Sequence, residues 1–233
     1  MFQTDPFTLI ILFVGLSLLP FVAMVATSYL KIVVVMSLIR NALGIQSIPP
    51  NIVVNALAMI LTFYIMAPMC SESWQIAKTE LAAKSAAAIP ATQSAPAGAG
   101  GGYSFDTDAV ANAAEPFRGF LLRHTSEREK AFFVRTAEQL WAKDGELAVV
   151  DPESFYILIP AFCVSELTKA FQIGFLVYLP FIAIDIIVSN ILLAMGMMMV
   201  SPVTISLPFK LLLFVMVDGW TILIQGLVRG YLL

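Results

Sequence analysis

The chain has 233 residues, 59% hydrophobic and 12% charged, with a net charge of −3 and a mean hydropathy of +0.88. Soluble proteins run at roughly 45–50% apolar and about 25% charged, so this balance excludes a soluble enzyme built around one core. No Lys/Arg cluster exists to track a phosphate backbone, which excludes a nucleic-acid binder. Charge is also segregated: Glu72 to Glu153 holds 12 acids and 8 bases, and the other nine are Asp5, Lys31, Arg40, Glu166, Lys169, Asp185, Lys210, Asp218 and Arg229. The reading is an all-α integral membrane protein with one polar insert.

In chain order, residues 1–71 predict an N-terminal hydrophobic helical hairpin. A spanning helix needs about 20 predominantly apolar residues. Phe7 to Leu30 is free of charge, and so is the apolar run from Ile48 to Met69. No basic region precedes the first run, so it is expected to be retained rather than cleaved. Lys31 and Arg40 lie between the two runs with no acid nearby. The positive-inside rule then places that connection in the cytoplasm and the polar insert, residues 72–153, outside.

Within the insert, residues 81–112 are rich in Ala, Gly, Ser and Pro and predict a flexible loop. Residues 115–146 turn helical and predict a small helical hairpin, with Phe117, Phe120 and Leu121 on one apolar face and Phe132, Phe133, Thr136 and Leu140 on another. Ser126-Glu127-Arg128-Glu129 reads as a capping box opening the second helix. His124, the sole histidine, gives no foundation for a proton relay or a zinc site. Cys70 and Cys163 lack metal or redox spacing and read as small apolar filler.

Residues 154–233 are apolar but interrupted. Ser154 to Ser165 is too short to span, Ala170 to Ile184 is marginal, and longer runs continue past single charges. Pro160, Pro180 and Pro202 predict helix breaks, because proline removes an N–H and disturbs the preceding turn. Lone carboxylates at Glu166, Asp185 and Asp218 are costly against lipid. Broken backbone and isolated charge survive in hydrocarbon when enclosed by protein, so the chain is expected to be one subunit of a larger assembly.

Three stretches carry a family resemblance. The first is Ser28-Tyr29-Leu30-Lys31-Ile32-Val33-Val34-Val35, running into Arg40-Asn41-Ala42-Leu43-Gly44-Ile45-Gln46 and Ile48-Pro49-Pro50-Asn51. The second is Pro160-Ala161-Phe162-Cys163-Val164-Ser165-Glu166-Leu167 with Ala170-Phe171-Gln172-Ile173-Gly174-Phe175. The third joins Leu179-Pro180-Phe181-Ile182-Ala183-Ile184-Asp185 to Met195-Gly196-Met197-Met198-Met199-Val200-Ser201-Pro202 and Asp218-Gly219-Trp220. They resemble the export-apparatus proteins of type III secretion, FliP in flagella and SctR in injectisomes, over nearly all the chain outside the insert. The Ala/Gly-rich stretch before Tyr103 departs from the family pattern.

The resemblance implies proline-broken helical hairpins in a multi-subunit export gate of the bacterial inner membrane, with a small periplasmic helical insert. It implies no covalent chemistry and no cofactor or metal. Expected partners are further copies of the chain, five in all, together with SctT/FliR-like and SctS/FliQ-like subunits and an SctU/FlhB-like switch protein. Membrane lipid surrounds the assembly, and unfolded secreted proteins pass through it. Met197, Met198 and Met199 match a family pore gasket; the plainer reading is that soft methionines fill gaps between helices. Lys31, Arg40, Glu166, Lys169, Asp185, Lys210 and Asp218 are candidate charge pairs, either between copies, fixing register, or within one chain. The short N-terminus favours the injectisome branch, with the flagellar one as alternative. A stand-alone ion or proton-coupled transporter is the rival from another class, and it would show internal repeats.

Overall fold

A computed structural model describes residues 6–45, 48–87, 107–142, 149–197 and 199–232. The described residues form eight helices: α1 (Pro6–Val25), α2 (Tyr29–Ala42), α3 (Asn51–Ala87), α4 (Thr107–His124), α5 (Glu127–Leu140), α6 (Phe155–Ala194), α7 (Pro202–Met216) and α8 (Gly219–Arg229). Two are long and apolar enough to cross a membrane, over Asn51–Glu80 and Phe155–Ala194. Two bent pairs, Phe13–Val25 with Tyr29–Ala42 and Pro202–Met216 with Gly219–Arg229, bring the count to four if each is one span.

The first apolar run is therefore not a straight span. Thr27 donates its hydroxyl to Ala23 O at 2.6 Å, and the chain bends by 55° into α2. Ser and Thr bonding back to the preceding turn bends helices. This bend puts α2 inside the fold. Ile32, Val35, Met36, Ile39 and Leu43 recur at helical spacing and are buried, as is Lys31. They form the larger core with Val54 and Ala58 of α3, Ala170 and Phe181 of α6, Phe214 of α7 and Leu223 and Leu227 of α8.

Glycine closes both α2 and α6. Gly44 has φ +78° and Gly196 has φ +75°, the left-handed conformation that suits a residue lacking Cβ. At the end of α2, Gly44 N–H donates to Asn41 O at 3.0 Å and Ile45 N–H to Arg40 O at 3.3 Å. At the end of α6, Gly196 N–H donates to Leu193 O and Met197 N–H to Leu192 O, both at 3.0 Å. These are paired Schellman closures that satisfy the last carbonyls of each helix.

Several expectations change. Pro160 and Pro180 do not break the chain: both lie inside the 40-residue α6. Each deletes a single ladder bond, and the turns on either side hold the helix together. Pro202 opens α7 in its first turn, after Ser201, where the missing N–H costs nothing. The short and marginal runs predicted after residue 154 are thus one helix, and its charges meet partners on other helices instead of ending it. The expected loop at 81–112 is partly helical, since α3 reaches Ala87 and α4 starts at Thr107; residues 88–106 lie outside those described.

The helical hairpin expected over 115–146 falls on α4 and α5. α4 packs along α3 and α6, and α5 packs along α6. Phe120 and Leu121 are buried with Met66, Leu158, Phe162 and Tyr231 in a second, smaller core, against which Phe117 packs. Phe132 and Leu140 on α5 are exposed. Ser126 precedes α5 but makes no side-chain cap; its N–H donates to Ser165 Oγ at 2.9 Å. Cys70 is an exposed thiol, not core filler, and Cys163 is half-buried.

Candidate functional site

The second core surrounds a charge cluster drawn from four parts of the chain. Glu166, on α6, is fully buried. Its Oε2 lies 3.0 Å from Lys31 Nζ of α2 and accepts the Tyr231 hydroxyl from beyond α8. Its Oε1 lies 3.0 Å from Lys169 Nζ, one turn along α6. Lys169 also donates to His124 O at the end of α4, at 2.7 Å. Lys31 Nζ sits 3.5 Å from the centroid of the Tyr231 ring, which adds a cation–π contact to the ion pair.

This geometry answers the cost of burial. A charge removed from water needs good pairing and enough hydrogen bonds to fill its lone pairs. Glu166 receives three donors, from Lys31, Tyr231 and Lys169. Burial foremost, and then the Glu166 carboxylate, hold the Tyr231 phenol above its ordinary pKa, so it stays a donor. A carboxylate so saturated acts as a clamp between helices, not as a free base. Ser28 Oγ, buried beside the cluster, has no hydrogen-bond partner among the described residues.

A second pair ties α6 to α7. Lys210 Nζ lies 2.6 Å from Asp185 Oδ2, and Ser206 donates to Asp185 Oδ1 at 2.6 Å. Lys210 also reaches Ala42 O, the last residue of α2, at 3.3 Å. Arg40 bonds Pro49 O at 3.3 Å and also Asn51 Oδ1, so it shapes the α2–α3 connection.

Of the seven charged candidates, Lys31, Glu166, Lys169, Asp185 and Lys210 therefore pair within one chain. Arg40 is bonded to its own chain as well. Asp218 sits at the α7–α8 bend with φ 51° and has no side-chain cap bond or ion pair among the described residues. Lys31, expected in the connection between the two apolar runs, is thus a buried cluster member on α2.

The methionine run lies where α6 gives way to α7. Met197 is 44% exposed and Met199 fully exposed; Met198 lies outside the described residues. The sequence reading missed Tyr231, for which it had no signal. It also discounted His124, whose position at the end of an amphipathic helix was the available clue. Among the described residues no group of His, Cys, Asp or Glu is arranged to hold a metal ion.

Comparison with known proteins gives concordant matches. The model of the FliP family matches residues 12–227. The Hypersensitivity response secretion protein HrcR of Ralstonia nicotianae is 48% identical, over 96% of this chain and 96% of that protein. The Yop proteins translocation protein R of Yersinia pestis is 48% identical, over 97% of both. The Flagellar biosynthetic protein FliP of Pectobacterium carotovorum is 40% identical, over 95% of this chain but 77% of its own length.

Proposed function

Because this chain belongs to the FliP family, a component of the type III secretion export apparatus, we propose that it is the principal pore subunit of that apparatus in an injectisome. The 48% identity to the Ralstonia and Yersinia secretion proteins, over nearly their full length, against 40% to the flagellar one, supports that branch. In this reading the chain performs no covalent chemistry. In this proposal several copies, five in all, join SctT/FliR-like and SctS/FliQ-like subunits in the inner membrane, with an SctU/FlhB-like protein beside them. Unfolded substrates pass through the middle. The polar segment faces outward, in keeping with its excess of acids over bases.

The observation that carries the reading is the turn between α6 and α7. Gly196 ends one helix and Pro202 starts the next, leaving Met197 and Met199 exposed on a short, non-helical segment. Exposed apolar side chains of a membrane protein meet lipid or neighbouring protein, and in this reading identical turns from neighbouring copies meet on an axis. Methionine is unbranched and polarizable, so such a ring can seal against ions and re-pack around many sequences.

Replacing Met197, Met198 and Met199 together by alanine is expected to raise ion leak through the assembled complex several-fold, measured as dye or ion efflux from vesicles. An unchanged leak with normal assembly removes the gasket from the account.

A further inference from the structure

We propose that the α4–α5 corner is an acid-released latch, in which protonation of His124 detaches it from the Lys31–Glu166–Lys169–Tyr231 cluster and frees the C-terminal end of the chain.

His124 is 6% exposed. Its ring lies 4.6 Å from that of Phe120 and 5.1 Å from that of Tyr231, edge to face. The ring makes no hydrogen bond among the described residues; only its backbone oxygen is engaged, by Lys169. The imidazole thus fills an aromatic slot as an apolar body.

The charges facing it come from each element packed there: Lys31 on α2, Glu166 and Lys169 on α6, and Arg123 beside it on α4. Tyr231 contributes a neutral phenol. Three cations stand against one carboxylate, whose oxygens already hold Lys31, Lys169 and Tyr231. An added imidazolium would find no free acceptor and would raise the excess of positive charge around the cluster from two to three.

Burial foremost, opposed by Glu166 and reinforced by Lys31, Lys169 and Arg123, pushes the His124 pKa down to about 4. A released imidazole takes up its proton near 6.5, so the open form binds more protons between these values. Closure is therefore complete above that window and weakens as pH falls through it, by roughly thirty-fold between about pH 7.5 and pH 5.

The release works against the apolar packing of α4 and α5 on α3 and α6, including Phe120 and Leu121 in the smaller core. The polar ties of the corner to α6 are Ser126 N–H to Ser165 Oγ and Lys169 to His124 O. Once His124 leaves, Tyr231 loses its edge contact and its stack on Phe120, 6.0 Å away. The latch operates independently of the methionine gasket.

The full chain in its membrane complex tests it, because His124 is the sole histidine. Histidine labelled with nitrogen-15 is titrated by magic-angle-spinning NMR, while hydrogen exchange, corrected for its intrinsic pH dependence, follows residues 117–126 and 227–232. The expected result is a midpoint far below that of free imidazole, with exchange in both segments rising together on acidification. His124→Gln and His124→Phe should abolish that rise, the second while keeping the aromatic slot filled. A midpoint near the ordinary histidine value overturns the latch. So does acid-driven exchange that persists at the same pH in either variant, which would assign it to a carboxylate. The NMR titration of the unsubstituted chain decides the matter even where a variant fails to assemble.

Discussion

Glu166 illustrates how much depends on single side chains here. It is a lone acid in an apolar stretch, and what makes it tolerable is distant in sequence: Lys31 lies 135 positions before it and Tyr231 65 after. Removing one partner of such a buried pair strands the other and costs about 3–5 kcal/mol. Glu166→Ala should therefore lower the thermal stability of the purified protein sharply. Lys31→Met combined with Glu166→Leu should lose less than the sum of the two single changes, since Lys31 and Glu166 no longer strand each other, while Lys169 keeps its bond to His124 O; a double variant at least as unstable as the sum would refute the pairing. The same reasoning applies to Lys210, buried against Asp185, Ser206 and Ala42 O.

At the level of elements, α2 and α6 pack most extensively, and one glycine permits it. A Cβ on Gly174 would lie 2.3 Å from Leu38 Cδ1, with Leu38 Cβ and Cγ at 3.2 and 3.3 Å. Gly174→Ala should overpack this contact and destabilise by about 1–3 kcal/mol. Leu38→Ala in the same chain should recover part of the loss, readable as a partial return of the melting midpoint. The absence of any recovery would mean that α2 and α6 do not meet there. Sequence logic placed neither helix: Lys31 to Arg40 reads as the connection between two apolar runs, and α6 as a short run followed by a marginal one. It failed at Pro160 and Pro180, because proline's effect depends on the packing that holds the flanking turns, and no local pattern records that.

For the whole molecule, three charges of the apolar segments, Lys31, Glu166 and Lys210, are turned inward while much apolar surface faces outward. Ile10, Phe13, Phe21, Phe63, Phe171, Phe175, Ile187 and Met216 are all more than half exposed. α1 touches little beyond α2. Patches of this extent mark protein or lipid contact, and family membership implies a multi-subunit assembly. Co-expression with the expected partners should give a complex whose native mass includes several copies of the 25.4 kDa chain. A single copy per complex, by native mass spectrometry, would contradict the proposed pore.

Composition and charge placement alone determined that this is a helical membrane protein, because burying 59% hydrophobic residues in lipid requires no knowledge of which residue meets which. The order of the motifs pointed to the family for the same reason, being a property of the linear chain. Which charges pair was decided by tertiary structure. Lys31, Glu166, Lys169 and Tyr231 come from α2, α6 and the C-terminus, with His124 joining them from α4, and only folding brings them within reach. Electrostatic pairing and close packing act over a few ångströms in space, whatever the distance along the chain, so the bend before α2 and the continuity of α6 became visible only in three dimensions.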